Sequence, residues 1–293
     1  MQMTVSGDHI INNLIDKLIE AGIDREDARL EVLLFDEEAK DEDELKSFIS
    51  RRVKGEPMAY ILGCRDFFRD RFKVTEGVLI PRSDTEILVE AALWFAGALD
   101  FPMGDILKIP KSFKDLSSLN IVDLCTGTGC IGISVYNELI SQGREVKCVL
   151  TDISDTALSC AKANIEGIAK DKENIRCFRE DVLGEDSKLP SESFDIVMSN
   201  PPYITSKDMA ELDAVVGEHE PHLALFGGDD GMTFYPVIAK KAKAILKAGG
   251  ALMVEHGYDQ GEKVRNVFEE NGFNYVTTLR DYGGVDRVTF GVK

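Results

Sequence analysis

Asn200, Pro201, Pro202 and Tyr203 stand together directly after the apolar run Phe194 to Ser199. Two consecutive prolines fix φ at both positions and remove two backbone donors. The Asn200 side chain and the Pro201 carbonyl are left as acceptors with no local N–H to satisfy them. Such a pair suits a planar NH2 group. An amide or aniline-like nitrogen is a weak nucleophile because its lone pair is delocalised into the adjacent π-system. Two accepted N–H bonds would aim that lone pair at an electrophilic carbon and stabilise the positive charge developing on nitrogen. Tyr203 would cover the planar group by stacking and exclude water. Asparagine and proline are also ordinary turn residues, so the tetrapeptide takes its meaning from its surroundings.

The second constellation is Gly127-Thr128-Gly129-Cys130-Ile131-Gly132, which follows the apolar run Asn120 to Leu124 and satisfies G-x-G-x-x-G. Glycines at a strand-to-helix turn let backbone approach a ligand. Asp152 lies 20 residues after Gly132, at the end of the next apolar run, where an acid binds ribose hydroxyls. The spacing fits NAD as well as S-adenosylmethionine, since both contain adenosine. Asp123, Asp152 and Asp181 all fall at or just beyond strand ends and gather on one sheet edge. Three acids favour a cationic sulfonium over an anionic pyrophosphate, although Asp123 could instead orient loop amides and Asp181 could cap a turn.

Two other groupings carry less. Glu218-His219-Glu220-Pro221-His222 brings potential ligands close together, but no helical pattern sets both histidines on one face with a third, so a structural loop is expected and no metal. Cys125 and Cys130 flank the glycine turn without a nearby basic partner in sequence, which argues against a redox role.

These residues need a scaffold. Apolar spacing predicts helices over 8–20, about 24–35 and about 43–53, a small helical domain at the start of the chain. Residues 65–81 alternate aromatic and β-branched side chains and read as a hairpin linking two domains. A helix over about 85–98 follows, and Asp100 to Leu119 reads as an excursion or linker. From Asn120 strand and helix patterns alternate, with strands at 120–124, 146–151, 175–179, 194–199 and 251–255. That is a parallel sheet with crossover helices. Two β-rich runs, 275–279 and 287–292, are joined by a short link carrying Gly283 and Gly284, so the sheet is expected to end antiparallel. The fold class is α/β, with divisions at 1–64 (helical), 65–84 (hairpin linker) and 85–293 (catalytic).

At 293 residues the chain can bury a core without staples, and its six cysteines lack C-x-x-C spacing, which suggests reduced thiols in a cytoplasmic protein. No basic n-region precedes an apolar core, and no apolar run approaches the roughly 18 residues of a membrane span. A net charge of −18 disfavours nucleic acid as a substrate. Two basic clusters remain: Arg51, Arg52 and Lys54, and a second, Lys240, Lys241, Lys243 and Lys247, that reads as a solvated helix face.

Along nearly its full length the chain resembles the release-factor glutamine methyltransferases (HemK/PrmC). The resemblance rests on Arg51-Arg52 through Gly55-Glu56-Pro57, Leu79-Ile80-Pro81-Arg82 with Asp84-Thr85-Glu86, Asp123 to Gly129, Ser199 to Ile204, Glu220-Pro221, Glu255-His256-Gly257 and Arg280 to Gly283. Asn-Pro-Pro-Tyr alone is shared with adenine-N6 DNA methyltransferases and other N-methyltransferases. The resemblance implies a Rossmann-like class I methyltransferase sheet and transfer of methyl from S-adenosylmethionine to the glutamine amide nitrogen (N5) in the Gly-Gly-Gln motif of class 1 peptide-chain release factors. It implies that the helical domain helps hold the release factor. By the same resemblance Cys125, Thr126, Gly127, Thr128 and Gly129 surround the methionine and ribose part, Asp152 binds the ribose, Asp181 and Val182 lie near adenine, and Asn200 to Tyr203 surround the glutamine amide. The family commonly has glycine where Cys125 stands. Either this cysteine meets the cofactor differently or its φ is ordinary. The rival readings are an adenine-N6 or other nucleic-acid methyltransferase, an NAD-dependent oxidoreductase and a non-catalytic binding module.

Overall fold

The computed structural model describes residues 7–100, 118–211 and 219–293. The excursion expected over 100–119 falls almost wholly outside them. Four helices come first among the described residues: α1 (Asp8–Glu20), α2 (Arg25–Glu38), α3 (Glu42–Val53) and α4 (Met58–Leu62). Asp24 caps α2 by accepting from Glu26 N, and Asp41 caps α3 by accepting from Glu44 N. Leu14, Leu18, Val32, Phe35, Leu45 and Ile49 bury one apolar stripe from each of the first three helices in a shared core.

A two-stranded hairpin follows, β1 (Cys64–Phe67) and β2 (Asp70–Lys73), with Phe67 and Phe72 packed edge to face. It closes at Lys73 rather than at Pro81. Residues 74–82 continue without sheet pairing: Val74 and Ile80 bury with Ala59 and Tyr60 of α4, and Val78 buries with Ala157 and Cys160 of the larger unit. A single 3-10 turn, Ser83–Thr85, leads into α5 (Glu86–Phe95), which is buried almost all round.

The main sheet among the described residues has seven strands: β3 (Ser118–Leu124), β4 (Glu145–Asp152), β5 (Ile175–Arg179), β6 (Phe194–Ser199), β7 (Leu246–Glu255), β8 (Asn274–Arg280) and β9 (Asp286–Val292). Their order is β5-β4-β3-β6-β7-β9-β8, parallel except for β9, which is antiparallel to both β7 and β8. Helices α6 (Cys130–Ser141) and α7 (Asp155–Ile168) make the first crossovers. The order reverses beside β3, whose carboxyl end therefore borders a crevice of the kind in which open α/β sheets bind ligands. β7 starts five residues earlier than its apolar pattern suggested. Leu246 pairs with Phe194, and the register then shifts before Ala251 meets Ile196, which gives Gly249 and Gly250 a place in the strand.

The lysine cluster is not a merely solvated face. Lys241 is buried against Glu180 at 3.2 Å, Lys247 pairs with Asp195 at 2.7 Å, and Lys243 bonds the Gly272 carbonyl. Arg51 and Arg52 are likewise paired, with Glu56 and Glu31. Cations committed to the protein's own acids are less free to neutralise phosphates.

Candidate active site

The carboxyl ends of β3, β4 and β6 open onto a cleft of about 1050 Å³, including its mouth. Its floor is the glycine loop. Cys125, Gly127 and Gly129 have φ of 58°, 57° and 84°. Cys125 therefore does occupy the left-handed region, which costs a non-glycine residue on the order of 1–2 kcal/mol. Its φ is not ordinary.

Asp123 lies behind this loop rather than in the cleft. It is 0% exposed, and its Oδ2 accepts from Thr126 Oγ1 at 2.6 Å and Gly132 N at 3.1 Å. Burial pushes its pKa up to about 7, against the lowering effect of both hydrogen bonds. It orients the loop, so the trio of acids reduces to two at the cleft, Asp152 and Asp181. Gly132 is required by the same packing: a Cβ there would sit 2.3 Å from Leu150 Cδ2 and 3.0 Å from Asp123 Cβ.

Asp152 ends β4 and faces the cleft. Its Oδ2 accepts from Gly127 N and its Oδ1 from Ser154 N, each at 2.9 Å, so one carboxylate ties the glycine loop to the next helix start. Burial raises its pKa, opposed by these backbone donors. Asp181 lines the cleft and also closes a turn: its Oδ1 accepts from Leu183 N at 2.9 Å and its carbonyl from Lys241 Nζ at 3.1 Å. Glu180, beside it, is neutralised by Lys241. The cleft wall beyond is apolar, formed by Ile153, Val182, Leu183, Leu223 and Phe234, a lining suited to a planar heterocycle.

Asn200 follows β6 and reaches the cleft from the other side of β3 to Asp152, which ends β4. Its Nδ2 donates to Thr85 Oγ1 at 3.3 Å, which leaves Oδ1 for another partner. Pro201 and Pro202 are buried. The segment Gly227 to Gly231 lies directly on this backbone. A Cβ on Gly227 would be 2.6 Å from Tyr203 Cα, and one on Gly231 would be 2.3 Å from the Tyr203 carbonyl. Gln260 Nε2 donates to that same carbonyl at 3.0 Å.

Tyr203 faces away from the main cleft. It borders a second hollow with Arg52, Met58, Arg65, Pro81 and Arg82, beneath the helical domain. Its Oη donates to Glu255 Oε1 at 3.3 Å, and burial raises its pKa. The tetrapeptide thus separates two cavities, with Asn200 and Pro202 on one and Tyr203 on the other. Arg82 pairs with Glu220, which also accepts from Ile80 N at 3.3 Å, so the strand-like wall 78–82 is fastened to the segment carrying Pro221 and Leu223.

Sequence reasoning assigned no role to Thr85, Gly227, Gly231, Glu255 or Gln260. The run of glycines at 227–231 was the readable signal, since two adjacent glycines beside acids mark backbone packed close to something. His219, Glu220 and His222 assemble no metal site, and among the described residues no cluster of three ligands exists. Burial pushes the Cys130 thiol up to about 12, far from a reactive thiolate.

Residues 106–223 match the family described as Methyltransferase small domain. The chain is 35% identical over 288 residues to the release factor glutamine methyltransferase of Haemophilus influenzae, covering 96% of this chain and 91% of the relative. It is 38% identical over 246 residues to that of Coxiella burnetii, covering 83% and 78%. A bifunctional methyltransferase of Rickettsia typhi is 34% identical over 304 residues, covering 98% of this chain but 57% of the relative, so the chain spans little more than half of that protein.

Proposed function

The chain belongs to the release factor glutamine methyltransferases, and from that premise we propose that it methylates the side-chain amide nitrogen of the glutamine in the Gly-Gly-Gln motif of class 1 peptide-chain release factors, modulating translation termination. The observation that carries this reading is the Asn200 amide, which lines the main cleft with its NH2 engaged by Thr85 while Tyr203, three residues on, borders the second hollow.

The cleft fits S-adenosylmethionine: two acids, a glycine loop of left-handed backbone and an apolar far wall match ribose, methionine and adenine parts. Cys125 to Gly129 would hold the methionine and ribose, Asp152 the ribose hydroxyls, and Asp181 and Val182 the adenine side. When bound, this cofactor supplies an electrophilic methyl group on a sulfonium. The chain's residues do the rest. Asn200 Oδ1 and the Pro201 carbonyl accept the two N–H bonds of the glutamine amide, which turns the nitrogen's π lone pair toward the methyl carbon. The same acceptors stabilise positive charge on nitrogen as it pyramidalises. The amide nitrogen would take the methyl group, the electrons of the broken C–S bond staying with the donor, and would then release one proton. No strong base is needed beforehand. Tyr203 and the hollow beyond it, roofed by the helical domain, form the side from which the release factor enters.

A release factor as substrate sets the reaction in the cytoplasm. Among the described residues no helix is long and apolar enough to cross a membrane. Nucleic acid is not expected as substrate, since Arg51, Arg52, Lys241 and Lys247 of the two basic clusters are paired with acids. The test is transfer from labelled S-adenosylmethionine to a release factor, its Gln→Ala variant and duplex DNA. Label should enter the release factor alone. Label on DNA alone, or equal label in the Gln→Ala variant, would overturn the reading.

A further inference from the structure

A loop that aims two acceptors at one nitrogen must be held still, and two consecutive prolines make this harder because they bring no N–H of their own. Before Asn200 the main chain is fixed in the sheet, where Ser199 lies in register with Leu124 on β3 and Val254 on β7. After Tyr203 it is fixed again. Ile204 N donates to the Leu225 carbonyl at 2.8 Å, and the Ile204 carbonyl accepts from Gly227 N at 2.9 Å. Between those points, among the described residues, no main-chain hydrogen bond reaches residues 200–203. One side chain fills the gap: Gln260 Nε2 donates to the Tyr203 carbonyl at 3.0 Å.

Gln260 stands just ahead of the helix Gly261–Glu270, is buried, and lines neither the cleft nor the second hollow. Its Nε2 also reaches the Gly231 carbonyl at 3.4 Å. At the other end, Oε1 accepts from Gly257 N at 3.0 Å and from Tyr235 Oη at 3.1 Å. A main-chain N–H can only donate and a carbonyl can only accept, so these partners dictate which end of the amide faces which way. Both donors and both acceptor positions of the side chain are used. One residue therefore ties the catalytic loop to the 227–231 glycine segment and to the turn that follows β7.

We propose that Gln260 is a positioning residue for methyl transfer: its NH2 clamps the Tyr203 carbonyl and so sets where Asn200 Oδ1 and the Pro201 carbonyl stand. The inference rests on the methyl-transfer reading for its consequence and on four hydrogen bonds for its existence. A misplacement of about 1 Å in a near-attack arrangement costs on the order of 10²-fold in rate. Loss of the clamp frees the segment between Ser199 and Ile204 to make such a shift. The cofactor cleft takes most of its lining from other elements, among them the glycine loop, Asp152 to Ser154 and Glu180 to Leu183. Releasing Tyr203 therefore leaves cofactor binding in place while the acceptors move.

Gln260→Met keeps the shape of the side chain and removes the clamp, whereas Tyr235→Phe removes one bond at the opposite end of the amide and leaves the clamp in place. Hydrogen exchange of the Ile204 amide, next to the clamped carbonyl, reads the loop in the full-length protein without substrate. In Gln260→Met it should quicken about tenfold or more, while amides of β3 and β4 keep their protection. S-adenosylmethionine affinity by calorimetry should stay within about threefold. With a release factor as substrate, kcat should fall about tenfold or more and the substrate KM should change little. Tyr235→Phe should leave Ile204 exchange and kcat within about twofold of the unmodified protein. Gly231→Ala, which sets a Cβ 2.4 Å from Gln260 Nε2, should reproduce the exchange pattern with the glutamine intact. Unchanged Ile204 exchange or unchanged kcat in Gln260→Met overturns the proposal. So does a loss of kcat that Tyr235→Phe matches, or one accompanied by loss of protection across the sheet. Because the exchange measurement needs no substrate, absence of transfer by the unmodified protein would count against the substrate reading alone.

Discussion

Replacing Asp123 by asparagine separates anchoring from charge behind the glycine loop. Asp123 is fully buried, holds Thr126 and Gly132 through Oδ2, and leaves Oδ1 without a partner. Its pKa of about 7 is set first by burial, with Asp152 adding repulsion. An unfolded aspartate ionises near about 3.9. Because the folded value is the higher one, the folded protein keeps a proton that the unfolded chain has lost between those two pH values. Stability is therefore full below about pH 4 and falls as pH rises to about 7, by about 1.4 kcal/mol per pH unit. The accumulated cost above pH 7 is on the order of 4 kcal/mol. Asparagine keeps the shape and one acceptor oxygen and cannot ionise. It also points an NH2 where nothing accepts, at a cost of about 1–3 kcal/mol. Urea unfolding should find Asp123→Asn the less stable protein near pH 4. The difference should move in its favour by several kcal/mol at pH 8. Glu255 has a similarly raised pKa, but it contributes equally to both proteins and cancels. A stability difference independent of pH would refute the reasoning.

Asn200→Ala should lower kcat on the order of 10²-fold or more while calorimetry finds S-adenosylmethionine affinity nearly unchanged, since the lost acceptor acts on the transition state. Asp152→Ala strands the Gly127 and Ser154 amides, and its cofactor Kd should rise by about 10- to 100-fold, read by the same calorimetry. Gly231→Ala would put a Cβ 2.3 Å from the Tyr203 carbonyl and 2.4 Å from Gln260 Nε2. Its kcat should fall about tenfold or more, with cofactor binding retained, because only the tetrapeptide must shift.

Much of this arrangement was readable from periodicity. The alternation of strand and helix from Asn120 to Ser199 and the antiparallel end of the sheet follow from local patterns, and the sheet edge follows from them in turn. What escaped was long-range or backbone-determined. Thr85 and Asn200 are 115 residues apart and meet only because α5 packs beside β6. Glu255 ends an apolar strand like any other residue until Tyr203 closes on it. Asp123 and Asp152 both lie near strand ends, yet Asp123 is in register with Leu150, two residues short of Asp152, so it anchors the loop from behind while Asp152 faces the cleft. The lysine spacing gave no sign of the acids that Lys241 and Lys247 meet, and Lys247 falls in β7 rather than on the expected helix face. The left-handed backbone at Cys125 was likewise hidden by its residue type.

The central claim is that the Asn200 tetrapeptide directs a methyl group onto a glutamine amide nitrogen. Tandem mass spectrometry of a release factor incubated with this protein and S-adenosylmethionine tests it most directly. The account predicts the mass of one methyl group on the glutamine of Gly-Gly-Gln, confined to the side-chain nitrogen and absent when Asn200→Ala replaces the protein. A methyl group on another residue, or no modification by folded protein that binds the cofactor, would contradict it.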